Sequence, residues 1–223
     1  LSVTPELNLD EETKILLVKL NNKKRLAGSI FAEITESHYK ETPDIDDVDK
    51  FKIMFEVIQD MIKNKKILAL HDISDGGLIT TLLEMCFTKK IGMKLDLNQS
   101  NNIHKKLFAE EIGFAIQVKK DEEEEIKKYF IEENIYVEQI ATLETDNFSI
   151  IKDDKELFNE SINELEKYWR ETSHAIQSIR DNKKIADSEL NLLDNKNYHG
   201  LNSNASFDQN QIKNLLIKGT KPK

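Results

Sequence analysis

The chain predicts an α+β fold, on three features of its sequence. Short apolar runs such as Ile15-Leu-Leu-Val-Lys-Leu20 and Ile67-Leu-Ala-Leu70 are too brief for helices and suit strands buried on both faces. Longer segments keep apolar residues at helical spacing, as in Phe51, Met54, Phe55, Ile58, Met61 and Ile62. Along the chain the two types follow the order β, α, α, β, α, β, β, α, β, β, which requires at least one crossover.

Taken in order, Val3-Thr-Pro5 is a loop entry to the strand at Ile15 to Leu20, and Asn21 to Lys24 turns the chain. Arg25 to Glu33 opens with the small residues Ala27, Gly28 and Ser29 and continues as a short helix carrying Ile30, Phe31 and Ile34. Thr42-Pro43-Asp44 is a stop, and the acids from Asp44 to Asp49 suit the N-terminus of a helix that runs to about Asn64. After the strand at Ile67 to Leu70 come His71, Asp72, Ser74, Asp75 and Gly76-Gly77, then a helix from Leu78. Its Leu78, Leu82 and Met85 share one face and Ile79, Leu83 and Cys86 the next, so most of it belongs inside. Lys94 to Leu97, Gly113 to Val118, Tyr136 to Leu143 and Phe148 to Ile151 read as strands, and Asp121 to Glu133 as a helix with a solvated acidic face. From Lys155 the character changes. Leu157, Ile162, Leu165, Tyr168 and Trp169 mark a helix, continued or followed by Ala175 to Ile179 and broken at Arg180-Asp-Asn182; Leu190 to Lys223 is asparagine-rich and reads as a largely irregular connector.

Composition narrows the function classes. The 223 residues are 39% hydrophobic, enough for one core and a second small unit. A net charge of −9, with lysines dispersed among acids, argues against a nucleic-acid surface. No apolar run approaches the ~20 residues that span a bilayer. The one cysteine, Cys86, excludes an internal disulfide and a cysteine-built zinc site, and its apolar helical face marks a packed thiol. This usage suits an intracellular, cytoplasmic chain, and the first residue, Leu1, hints at a piece of something longer.

The stretch from Lys66 to Phe87 carries the chemistry. Unpartnered N–H groups at a helix start favour an anion, and glycines allow a phosphate to approach closely. A carboxylate at the strand end, such as Asp72, can hold the Mg²⁺ that accompanies nucleotide phosphates, and Ser74 could donate to a phosphate or hydroxyl. The plainer alternative makes Ser74 or Asp75 a helix N-cap and Gly76-Gly77 a tight turn.

His71-Asp-Ile-Ser-Asp-Gly-Gly-Leu78 followed by Leu83-Glu-Met85 resembles the signature of the large, single-chain phosphoribosylformylglycinamidine synthases (formylglycinamide ribonucleotide amidotransferases), in their second aminoimidazole-ribonucleotide-synthetase-like half. Val3-Thr-Pro5, Leu107-Phe-Ala-Glu-Glu-Ile-Gly113 with Gln117-Val118, Trp169, Glu171-Thr172, Arg180-Asp-Asn182, Ala186, Glu189, Gly200-Leu-Asn202 and Ser206-Phe-Asp208 follow in family order, and Lys221-Pro222-Lys223 sits where the family crosses into its glutaminase. Departures fall at Ala27 for Gly, Ala109 for Asn, Lys183 for Pro, Ile185 for Cys and His199 for Pro, none of them at Asp72 or Ser74.

The resemblance implies a three-layer α/β/α domain over residues 1–158, then a helical and irregular tail over 159–223 as a segment and linker toward a glutaminase domain. It implies an ATP-dependent ligase of purine biosynthesis: the formamide oxygen of formylglycinamide ribonucleotide is phosphorylated, ammonia from glutamine displaces phosphate, and the amidine, ADP and glutamate leave. Asp72 corresponds to a Mg²⁺ ligand and Ser74 to an ATP contact; His71, Asp75, Gly76 and Gly77 frame the motif, and no catalytic side chain is assigned. Gly28-Ser29 read as packing residues, with the same cleft as the alternative. Partners are ATP, formylglycinamide ribonucleotide and the remaining synthase and glutaminase domains, with no nucleic acid or membrane. Alone, the chain is expected to lack synthase activity and to bind Mg-ATP weakly at most. Two other readings compete: a non-catalytic scaffold half holding a structural nucleotide, and a kinase or synthetase for another small molecule, such as selenophosphate synthetase, which the tail matches disfavour.

Overall fold

The computed structural model describes residues 2–10, 12–98 and 101–195. Its elements are β1 (Thr13–Lys19), α1 (Ile30–Ile34), α2 (Val48–Lys63), β2 (Ala69–Asp72), α3 (Gly77–Lys89), β3 (Gly92–Asp96), α4 (Ile103–Phe108), β4 (Gly113–Lys119), α5 (Glu123–Glu132), β5 (Tyr136–Glu144), β6 (Asn147–Lys152), β7 (Lys155–Ser161), α6 (Ile162–Arg180) and α7 (Lys183–Asn191). The strands form one seven-stranded sheet in the order β2-β4-β1-β5-β3-β6-β7. Neighbours are antiparallel except β3 and β6, which run parallel across a long crossover.

The apolar run in β1 is continuous because the strand is covered on both faces. Ile15 and Leu17 pack with Leu78, Leu82, Met85 and Cys86 of α3 and Ile162 of α6. Leu16 and Val18 point the other way, onto Met54, Ile58 and Met61 of α2 and Ile126 and Phe130 of α5. The result is the three-layer α/β/α arrangement, and the α+β reading holds. Cys86 is wholly buried, and burial pushes its thiol pKa up, so it is a packing residue.

Local signals decide most boundaries. Asp47 caps α2 by accepting from Lys50 N, and Ser29 caps α1 by accepting from Ala32 N. The break read at Arg180-Asp-Asn182 is real: α6 ends at Arg180, and Asn182 caps α7 by accepting from Lys184 N. Two readings change and one segment without a reading gains an element. Leu157 lies on a strand, because Asp153 and Asp154 take φ of 51° and 58° and fold Lys155–Ser161 back on β6 as a hairpin. Residues 103–108 form α4, with Asn102 accepting from Lys105 N as its cap. Lys183–Asn191 is helical and a short turn follows at Leu192–Asp194, so the first residues of the stretch from Leu190 are regular. The connector from residue 196 onward, with the motifs Gly200-Leu-Asn202, Ser206-Phe-Asp208 and Lys221-Pro222-Lys223 and the departure at His199, lies outside the described residues. Among the described residues, no helix is long and apolar enough to cross a membrane.

Registers bring the ends of four strands together: Asp72 pairs with Phe114, and Lys19 pairs with Gly113 on one side and Tyr136 on the other. A buried ionic bracket closes this end. Arg25 donates from Nε and Nη2 to the Glu111 carboxylate at 2.9 and 2.7 Å, and both side chains are under a tenth exposed. Its guanidinium also reaches both oxygens of Asp46 at 3.0 Å.

Candidate functional site

The site is the turn between β2 and α3. Sheet pairing continues two residues past the apolar run, so Asp72 is the last residue of β2 and lies at the sheet end with its side chain 65% exposed. Ile73 turns inward, 9% exposed, and its N–H donates to Gly113 O at 2.9 Å. Ser74 and Asp75 face outward. Thr81 Oγ1 reaches back from α3 to the Asp72 carbonyl oxygen at 3.1 Å. The main chain beneath the exposed carboxylate is therefore tied to both neighbouring elements.

Neither Ser74 nor Asp75 caps α3. The N-cap is Gly76, with φ of 83°, and no side chain closes it. Gly77 has φ of 72°, and a Cβ there would lie 2.8 Å from Leu107 O and from Phe108 C. Only glycine meets both demands, a left-handed backbone and contact with the end of α4. The Gly76 N–H donates to Glu110 Oε1 at 2.9 Å, and the same oxygen accepts from Ile30 N, the first residue of α1, at 2.9 Å. An internal carboxylate thus sits where an external anion was expected, and it joins the entries of α1 and α3. Gly28 and Ser29 are brought to this neighbourhood but line a separate opening of about 470 Å³ with Ala32, Glu33, Glu36, Ser37 and His38, to which Asp72 and Ser74 do not contribute.

The electrostatics are one-sided. Asp72, Asp75, Glu84 and Glu110 cluster on this face; among the described residues Asp72 and Glu84 pair with His71, and no lysine or arginine forms an ion pair with Asp75 or Glu110. A polyphosphate would meet net negative potential here unless a cation came with it. One exposed carboxylate beside a hydroxyl fits Mg²⁺ shared with phosphate oxygens and water, which needs few protein ligands. It does not make a closed cage, and no group of three or more His, Cys, Asp or Glu able to hold a metal exists among the described residues.

With this geometry in view, the family described as AIR synthase related protein, C-terminal domain, matches residues 11–153. The chain belongs to that family. Among solved structures, the phosphoribosylformylglycinamidine synthase II of Thermotoga maritima aligns with a TM-score of 0.56 at 10% identity, over 72% of this chain and 26% of that one. T. maritima PurL complexed with ATP aligns at 0.55 and 12% identity over the same shares. The complex with FGAR aligns at 0.58 and 11%, over 73% of this chain and 29% of that one. At these identities the likeness is one of fold, the AIR synthase related C-terminal fold, and the chain spans little more than a quarter of those proteins.

Sequence reasoning found the turn and missed what holds it. Glu110 and Glu111 stand in a segment to which the sequence alone gives no role, and their adjacency conceals a division of labour: Glu110 braces the turn and Glu111 takes Arg25. Thr81, on the buried side of α3, carried no signal beyond being a polar residue in an apolar stripe.

Proposed function

We propose that the chain is part of an ATP-dependent ligase that converts formylglycinamide ribonucleotide, glutamine and ATP to formylglycinamidine ribonucleotide, glutamate, ADP and phosphate, with Asp72 a Mg²⁺ ligand and Ser74 an ATP contact. The observation that carries the reading is the exposed Asp72 carboxylate at the end of β2, its main chain held by Thr81 and followed by a turn that only glycine can build. Family membership and the shared fold of the T. maritima structures named for complexes with ATP and FGAR support it.

The chemistry asks little covalent work of these residues. An amide oxygen is a poor leaving group until it carries phosphate, and Mg²⁺ bound with the nucleotide would neutralise charge on the transferred phosphoryl. Asp72 holds the cation side of such a complex, and the Ser74 hydroxyl donates to a phosphate oxygen. Glu110 fixes the Gly76 backbone so that neither group has to be ordered on binding. The local excess of carboxylates means that most phosphate contacts come from elsewhere in a longer enzyme, in keeping with weak Mg-ATP affinity for the chain alone. In this proposal residues 1–158 are the synthetase-like domain, 159–223 lead toward a glutaminase domain that supplies ammonia, and the enzyme works in the cytoplasm.

Asp72→Ala in the intact synthase tests the reading. Loss of a metal ligand should lower turnover by about a hundredfold or more. Because the side chain is exposed, stability should move by no more than about 0.5 kcal/mol. Unchanged turnover would remove Asp72 from the mechanism. A structural nucleotide is the second reading, favoured by the carboxylate already seated on the Gly76 N–H; a large fall in melting temperature with turnover retained would support it.

A further inference from the structure

His71, the residue before Asp72, is gripped on both ring nitrogens. Nδ1 lies 2.9 Å from the Asp72 carbonyl oxygen and 3.4 Å from Asp72 Oδ1. Nε2 lies 3.0 Å from Glu84 Oε2 on α3. The other Glu84 oxygen accepts the Trp169 indole N–H of α6 at 3.2 Å. Trp169 is itself steadied by Phe87, with ring centroids 5.6 Å apart, and by the Arg170 guanidinium 5.8 Å from its ring. A single carboxylate therefore links β2, α3 and α6 to the exposed Asp72. These contacts add little to the core, since Trp169 is 51% exposed and Glu84 28%. Their common feature is the site at one end and α6, packed on α3, at the other.

We infer that Glu84 and Trp169 are positioning residues for the Asp72–Ser74 turn, and that occupancy of the turn by a divalent cation with nucleotide is transmitted through Glu84 to α6. The inference rests on the reading of Asp72 as a metal ligand. Groups that bond a metal ligand fix its orientation, and their loss typically lowers metal affinity by about 10- to 100-fold; His71 is that group for Asp72, and Glu84 and then Trp169 hold His71 from further out. Drawing the Asp72 carboxylate toward a cation takes it from His71, and the His71–Glu84 contact passes the change to the indole hydrogen bond. Trp169 is the only tryptophan in the chain, so the indole emission reports the surroundings of this one side chain, the Glu84 bond among them.

The test titrates the full chain with Mn²⁺ in the presence of ATP, reading bound Mn²⁺ by electron paramagnetic resonance and the indole by fluorescence. Wild type should show an emission change with the same midpoint as Mn²⁺ binding. Glu84→Ala, which costs the helix no propensity, should weaken binding by about tenfold, the low end of that range because Glu84 acts through His71, and abolish the emission change at saturation. Trp169→Phe keeps an aromatic ring on the Phe87 side and removes the indole N–H with its bond to Glu84, and it should weaken binding by about threefold, within the worth of one hydrogen bond. If Asp72→Asn abolishes binding while Glu84→Ala and Trp169→Phe bind as wild type, the inference fails alone, and it fails equally if those two variants lower only the melting temperature. If Asp72→Asn binds Mn²⁺ as wild type, in this chain or, where the chain's own affinity is too weak to titrate, in the intact synthase, the reading of the site fails and takes the inference with it. Should Glu84→Ala not fold, Trp169→Phe decides.

Discussion

Gly77→Ala, set beside Gly28→Ala, tests whether the turn is braced as described. Both glycines have left-handed backbones, with φ of 72° and 76°. A Cβ in that region costs about 1–2 kcal/mol for an L-residue. The surroundings differ. At Gly28 the nearest atom to an added Cβ is Thr42 Cγ2 at 3.9 Å, an ordinary contact, so the backbone term stands alone. At Gly77 the new atom meets Leu107 O and Phe108 C at 2.8 Å, main-chain atoms that cannot rotate away. Moving the end of α4 adds a packing cost of about 1–3 kcal/mol. Gly77→Ala should therefore cost about 2–5 kcal/mol and Gly28→Ala about 1–2 kcal/mol. At roughly 2–4 °C per kcal/mol for a chain of this size, the melting temperature should fall by about 6–12 °C for a 3 kcal/mol loss at Gly77, and by about one to two thirds of that at Gly28. Thermal unfolding followed by circular dichroism measures both. Equal shifts would refute the close approach of α4 to the head of α3, and with it the account of why two glycines end the motif.

Two further perturbations reach the same end of the sheet. Arg25→Met leaves the Glu111 carboxylate buried without its cation and should cost about 3–5 kcal/mol in denaturant unfolding, whereas Arg25→Met with Glu111→Leu should recover most of that loss; a double variant no better than the single one would contradict the pairing. Lys19 is 4% exposed, and burial, helped by the Lys106 ammonium and by Lys24 against the opposing pull of Glu111 and Glu138, lowers its pKa from 10.5 to about 8. Between those values the unfolded chain holds the proton that the folded one has released, so this group's contribution to stability rises with pH from about 8 toward 10.5. Its full effect is on the order of 3 kcal/mol. Tyr136, whose pKa burial and the Glu138 carboxylate raise, opposes the trend once its unfolded form ionises near 10. Denaturant unfolding between about pH 8 and 9.5 should show stability rising in wild type relative to Lys19→Met; parallel curves would place Lys19 in water.

What the sequence determined alone is local. Turn chemistry and periodicity sufficed for β1, α2, α3 and the break at Arg180-Asp-Asn182, because apolar spacing, caps and left-handed glycines act over a few residues. The same locality made the Asp72 to Gly77 turn legible. Tertiary structure decided the rest. Leu157 became a strand residue only because β6 lay alongside to pair with it. The strand order pairs Thr13 of β1 with Lys119 of β4, and the union of α1 and α3 on Glu110 and the Glu84 bridge to Trp169 join groups 34 to 85 residues apart. Such contacts leave no periodic trace, since a hydrogen bond between distant side chains asks only that each residue be polar. The chain's chemistry is thus written in its turn, and the orientation of that chemistry in contacts that exist only once the sheet has closed.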